Sequence, residues 1–237
     1  MSTLLDDAAL LSIEHQWHSS DVLGPHSWRM NLAEGVLRFD GAVPRTPTAV
    51  HFLGTAAPGP GSWLWAWDGP ADGYASETLE TARRLRDYGG RHDIALLTRA
   101  EVPFADVPGA PGSANLAAFA FIDVAKVVTG NWTGYTCELG GGARAAFLVE
   151  HPVFRLPPAT PECVMRVLRT FVTEPPAGIT DHRRALRSYA VRRGLGVSFN
   201  GSAAPERVTL PGLEVVIAFG ADGAPSELTA SVKCRSG

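Results

Sequence analysis

Apolar positions set out most of the elements. Leu4, Ala8, Leu11 and His15 recur at helical spacing and predict an opening helix over residues 4–18. After the Gly24-Pro25 break, residues 27–31 and 35–39 read as strands, with Leu37 and Phe39 opposite Val36 and Arg38 and a turn at Asp40-Gly41. Residues 48–55 and 62–67 predict a hairpin whose Pro/Gly loop, residues 57–61, is too long for a tight turn. Ala75, Leu79, Ala82, Leu85 and Tyr88 make a helical stripe, and Gly89-Gly90 predicts its stop. Residues 94–104 read as a strand and 108–112 as a loop. Ser113 then caps a helix over residues 114–128 whose only polar members, Asn115, Asp123 and Lys126, share one arc. Two alternating runs, 133–139 and 143–150, flank three glycines as a hairpin. Thr160-Pro161 opens a helix that Pro175-Pro176 ends, Thr180 caps another, and residues 195–199, 207–210, 213–219 and 227–233 are short strands.

These elements predict an α+β fold: a mainly antiparallel sheet packed on the central buried helix 114–128, with a C-terminal helix pair and strand meander. Strands occur in hairpin-like pairs, without the strand–helix alternation that a doubly wound parallel sheet requires. Residues 1–150, with the Trp-rich strand, and residues 151–237 are expected to form one compact domain.

Composition narrows the setting. The chain has 237 residues and 45% hydrophobic content, enough for a core without a metal or disulfide staple. Cys137, Cys163 and Cys234 are widely spaced and odd in number, which argues for a reducing compartment and against a zinc knuckle. The first residues carry Asp6 and Asp7 and no early Lys or Arg, unlike a presequence, so a cytoplasmic location is expected. The most apolar stretch, 116–128, is far short of the ~20 residues of a membrane span. A net charge of −3 disfavours nucleic acid as a partner. That balance is uneven, with 10 basic and 17 acidic residues up to position 150 against 11 and 7 beyond it. That asymmetry points either to two layers or lobes facing each other or to one basic face.

The segment Phe52-Leu53-Gly54-Thr55, the Pro/Gly loop, Trp63-Leu64-Trp65-Ala66-Trp67 and then Arg86-Asp87-Tyr88-Gly89 resembles an uncharacterised bacterial family, domain of unknown function 6882. The resemblance runs over roughly residues 27 to 150. It implies a shared fold and transfers no catalytic residues. Many members have Asn after the last Trp, where this chain has Asp68-Gly69-Pro70.

Candidate chemistry starts at the Trp strand. Alternation puts Trp63, Trp65 and Trp67 on one face. That aromatic wall is either core against helix 114–128 or the ligand-binding wall of a pocket, whose polar contacts would come from Asp68, Tyr135 or His182 as catalytic candidates. His182, near a helix N-terminus, has its charged form disfavoured and suits a base. His15 and His18 could reach a metal from one helix face, but no third ligand is evident, and no metal site is assigned. Cys137 reads as core. Arg183, Arg184, Arg187, Arg192 and Arg193, with Arg166 and Arg169, either grip an acidic partner or pair with the acidic N-terminal part. No cofactor is expected: the glycine run lacks a following Lys and helix, and no Gly-x-Ser-x-Gly elbow occurs. The sequence supports a small-molecule-binding protein, as an acid–base enzyme or without catalysis. The alternative is an interaction module using the basic face or a Trp-lined homodimer interface.

Overall fold

The computed structural model describes residues 1–69, 73–198 and 205–232. Pro70, Phe199, Lys233 and Cys234 lie outside these. The chain divides into two compact units, one of His15–Leu156 with Met1 and one of Ser2–Glu14 with Pro157–Gly237. Helix α1, Ser2–Leu23, contributes to both.

In the first unit, β1 (His26–Asn31) and β2 (Val36–Gly41) form a separate antiparallel ribbon. A five-stranded sheet is built from β3 (Ala49–Ala57), β4 (Ser62–Trp65), β5 (Glu101–Pro103), β6 (Gly134–Gly140) and β7 (Ala143–Glu150). Its order is β5-β4-β3-β7-β6, antiparallel throughout. The two predicted hairpins are thus joined through β3 and β7, with a bulge between Phe52 and Gly54. Helix α2 spans Ser76–Arg91, α3 Ala95–Thr98 and α4 Ala114–Thr129. α4 packs against β3, β4, β6 and β7. The Ser113 hydroxyl accepts from the Leu116 amide at its start, and Gly130 ends it in the left-handed conformation, φ 79°.

Two expectations are corrected here. Gly89-Gly90 does not stop α2, which runs on to Arg91. Gly89 serves close packing instead, because a Cβ there would lie 2.6 Å from Leu97 Cβ. Residues 94–104 are not one strand: Asp93 at φ 53° turns the chain into the short α3, so only Glu101–Pro103 pairs, as edge strand β5.

Lys126, on the polar arc of α4, is also buried. Its ammonium lies 3.0 Å from Asp123 Oδ1, and its stem passes Gly134, where a Cβ would come within 3.1 Å of Lys126 Cε.

The second unit pairs α5 (Pro161–Thr173) and α6 (His182–Arg192) with a meander of β8 (Gly196–Ser198), β9 (Glu206–Leu210), β10 (Leu213–Phe219) and β11 (Pro225–Val232). Its order is β11-β10-β9-β8, again antiparallel. Thr160 caps α5 as expected. Asp181 caps α6 in place of Thr180, whose amide and hydroxyl both donate to the carboxylate of Asp6 on α1.

Candidate functional site

The Trp strand is shorter than its sequence suggests. The chain leaves β4 at Trp65 and makes a single helical turn over Ala66–Asp68, so Trp67 does not share a strand face with Trp63 and Trp65. Trp63 and Trp65 are 0% and 2% exposed. Trp63 stacks on Phe121 of α4 at 4.7 Å and 25°, while Trp65 meets the same ring edge-on at 4.9 Å. The Trp65 indole donates to the Leu96 carbonyl at 3.0 Å. Trp67 is half-buried beneath the Arg86 guanidinium, 5.4 Å from its ring centroid.

The acid–base candidates stand apart. Asp68 is exposed on the turn after β4. Tyr135, on β6, packs edge-on to Phe39 at 4.8 Å and lies 3.2 Å from His26 Nε2. His26 Nδ1 donates to the Gly24 carbonyl, so its Nε2 accepts from the phenol. Burial pushes the Tyr135 phenol up to about 12, with the neighbouring Cys137 adding to the rise, and burial pushes the Cys137 thiol up to about 11. Both are protonated at neutral pH. His182 belongs to the second unit, beside Phe171.

A titration checks these shifts. Of the four tyrosines, Tyr135 and the fully buried Tyr189, raised chiefly by burial and next by Glu14, should ionise only well above the usual range in the native protein. All four should ionise near ~10 in denaturant. The stability that Tyr135 lends is complete below its unfolded value of 10.0 and is lost as pH rises toward 12. The Cys137 window runs from 9.0 to about 11. Phenolate absorbance that rises near pH ~10 for every tyrosine in the folded protein would refute the assignment.

The basic C-terminal helices are largely paired within their own unit. Arg184 meets Asp7 at 2.6 Å, Arg193 meets Glu14 at 3.0 Å, and Arg183 and Arg187 meet Glu206 at 3.0 and 2.7 Å. Of the alternatives for this face, pairing with the acidic N-terminal helix is the one seen for Arg184 and Arg193.

His15 and His18 diverge. His18 Nε2 donates to the Val153 carbonyl at 3.1 Å, while His15 stacks on Trp132 at 6.0 Å. Among the described residues, no group of three His, Cys, Asp or Glu side chains is placed to hold a metal ion.

Two open concavities of the first unit lie elsewhere, around the end of α4. Gly130 reverses the chain, the Thr129 hydroxyl accepts from the Asn131 amide at 3.1 Å, and Asn131 Oδ1 accepts from the Thr133 amide at 3.3 Å. That turn presents Asn131 and Trp132. On one side is a cavity of about 490 Å³ walled by Trp132, His15, His151 and Phe154. His151 Nδ1 accepts from the Val153 amide at 3.1 Å, which puts the neutral ring's proton on Nε2.

On the other side is a cavity of about 590 Å³ between α2 and the ends of β3 and β7. Thr129, Asn131 and Glu150 line both, so the two cavities adjoin at these residues. At the junction His51 Nε2 lies 3.0 Å from Glu150 Oε1. With Nε2–H donating, His51 Nδ1 carries the lone pair. That atom and Asn131 Nδ2 are shielded from solvent and have no hydrogen-bond partner among the described residues. His51 and Asn131 both line this cavity, so each brings a polar atom without a partner to its wall, where rotation of the side chain would offer that atom to a polar ligand.

Sequence reading missed this site. Its signals were faint: a histidine within the apolar run of β3, a carboxylate closing β7, and Gly130-Asn131-Trp132 after an apolar helix.

Fold and site define an α+β protein with an aromatic-and-polar double groove beside an antiparallel sheet. The chain belongs to a family of unknown function (DUF6882), which it matches over residues 2–152. That match takes in α1 as well as the Trp-rich segment. No curated protein and no solved structure matches the chain.

Proposed function

We propose that the protein binds a small polar molecule in the double groove and that His51, oriented by Glu150, acts there as a general base. One observation carries this: a histidine–carboxylate pair in the wall of the second cavity, whose second ring nitrogen lacks a partner, with an amide donor of the same wall that also lacks one. Cavities of this size are in the range that holds small ligands. In this reading Trp132 and His15 provide the aromatic lining first sought at Trp63, Trp65 and Trp67. The two described cysteines, Cys137 and Cys163, are free thiols, which supports a reducing, cytoplasmic setting. The Trp-lined homodimer has less support, because Trp63 and Trp65 present almost no surface to a second copy.

The test is a ligand-observed NMR screen of a metabolite library against the full chain, repeated with His51→Gln and Asn131→Ala. At least one ligand should bind the wild type and lose roughly tenfold in affinity, equivalent to about 1.4 kcal/mol, in each variant. Ligands whose affinity neither substitution moves, or a screen without any hit, would overturn the assignment. No helix of the described residues is long and apolar enough to cross a membrane.

A further inference from the structure

We propose that the ligand joins a flat ring to an anionic group through a connecting portion, as a mononucleotide does. This rests on the double groove being the binding site. The two cavities differ in chemistry while sharing Thr129, Asn131 and Glu150. One is aromatic: Trp132 and His15 already stack with an interplanar angle of 24°, and another flat ring continues such a stack.

The other is walled by α2, where Glu80, Arg84, Asp87 and Arg91 fall at i, i+4, i+7 and i+11 on one face, with Arg83 beside them. Arg84 donates to the Val128 carbonyl and Arg91 to the Asp87 carbonyl. None of Arg83, Arg84 and Arg91 is ion-paired among the described residues. The second unit's Arg183, Arg184, Arg187 and Arg193, by contrast, each meet a carboxylate. Of the carboxylates on this wall, Asp87 is held by Arg86 at 3.3 Å, and Glu150 accepts from the neutral His51 ring at 3.0 Å, so Glu80 and Glu150 stand against three guanidinium groups. A guanidinium retains donors after one bond to a carbonyl, and a phosphate or carboxylate is the group that planar donor set recognises. The ring and the anion are thus recognised on opposite sides of the His51–Glu150 pair, with the connecting portion of the ligand beside it.

Calorimetric titration of the full chain with adenosine monophosphate, adenosine and inorganic phosphate tests this. The monophosphate should bind at least roughly tenfold more tightly than either fragment. Arg84→Ala with Arg91→Ala, both exposed positions, should bring the monophosphate down to the level of adenosine and leave adenosine unchanged. Trp132→Leu should weaken both. Tryptophan fluorescence and a melting curve establish that each variant is folded. Adenosine binding as tightly as its monophosphate, no effect of the arginine substitutions, or no binding of any of the three overturns the ligand class. If none binds while His51→Gln still weakens a library ligand, the groove stands and only the class falls. If His51→Gln weakens nothing, both fall.

Discussion

Replacing Arg183 and Arg187 together by Met should destabilise the second unit by about 3–5 kcal/mol, the usual cost of leaving one member of a buried ion cluster unpaired. Glu206 is fully buried, and Arg183 and Arg187 at 3.0 and 2.7 Å both converge on its Oε1. Without them the carboxylate stays in the interior of β9 with no counter-charge and must take up a proton or pull the strand open. The reverse deletion is milder. The guanidinium groups are 16% and 38% exposed, so in Glu206→Gln they can turn toward water. That single change should therefore cost distinctly less than the double one. Replacing all three by apolar residues should recover much of the loss, since charges that are absent need no pairing. All six tryptophans lie in the first unit, so their fluorescence does not report on this one. Hydrogen exchange at the β9 and β10 amides does. Equal protection in Glu206→Gln and in the arginine pair would sink the asymmetry.

Local pattern carried the sequence reading furthest where one element decides its own structure. Helix α4 is legible because almost its whole circumference is apolar, and its capping serine precedes it. The hairpins β3–β4 and β6–β7 are legible because glycines interrupt alternating runs. The pairing of β3 with β7 is not, since no local feature joins residues about a hundred positions apart in sequence. The run from Ile94 to Phe104 misleads because its apolar content is that of a strand. The left-handed Asp93 and the close approach of Leu97 to Gly89 are what fold its first part back as α3.

The groove was the least legible feature. His51 comes from β3, Glu150 from β7, Asn131 from the turn after α4 and the arginines from α2. None of these residues has a neighbour in sequence that signals its role. The basic C-terminal helices drew attention for the opposite reason. They concentrate charge in sequence, and the fold pairs much of it. The groove's three arginines, none of them ion-paired among the described residues, lie on α2, where acidic residues interleave with them and hide the patch from any net count.

Gly54→Ala should be among the most damaging single substitutions in the first unit, costing at least about 3 kcal/mol. A Cβ at this position would lie 2.2 Å from the Leu64 carbonyl oxygen and 2.7 Å from Trp63 Cζ2. The first of these is backbone of the paired strand β4, which cannot move without breaking its ladder with β3. The second is an indole locked between Trp65, 5.3 Å away, and Phe121. Gly54 also sits at the edge of the β3 bulge with φ 157°, a backbone that side-chain-bearing residues rarely adopt. These contacts tie the two strands together: the glycine of Phe52-Leu53-Gly54-Thr55 makes the space that Trp63 fills. Near-ultraviolet circular dichroism should therefore lose the signal of the packed Trp63–Trp65–Phe121 cluster, along with a fall in melting temperature. Trp63→Leu in the Gly54→Ala background should restore only part of the loss, because the ring clash is relieved and the clash with the Leu64 carbonyl is not. A Gly54→Ala protein with native dichroism and melting temperature would show that the strand has room that these distances deny.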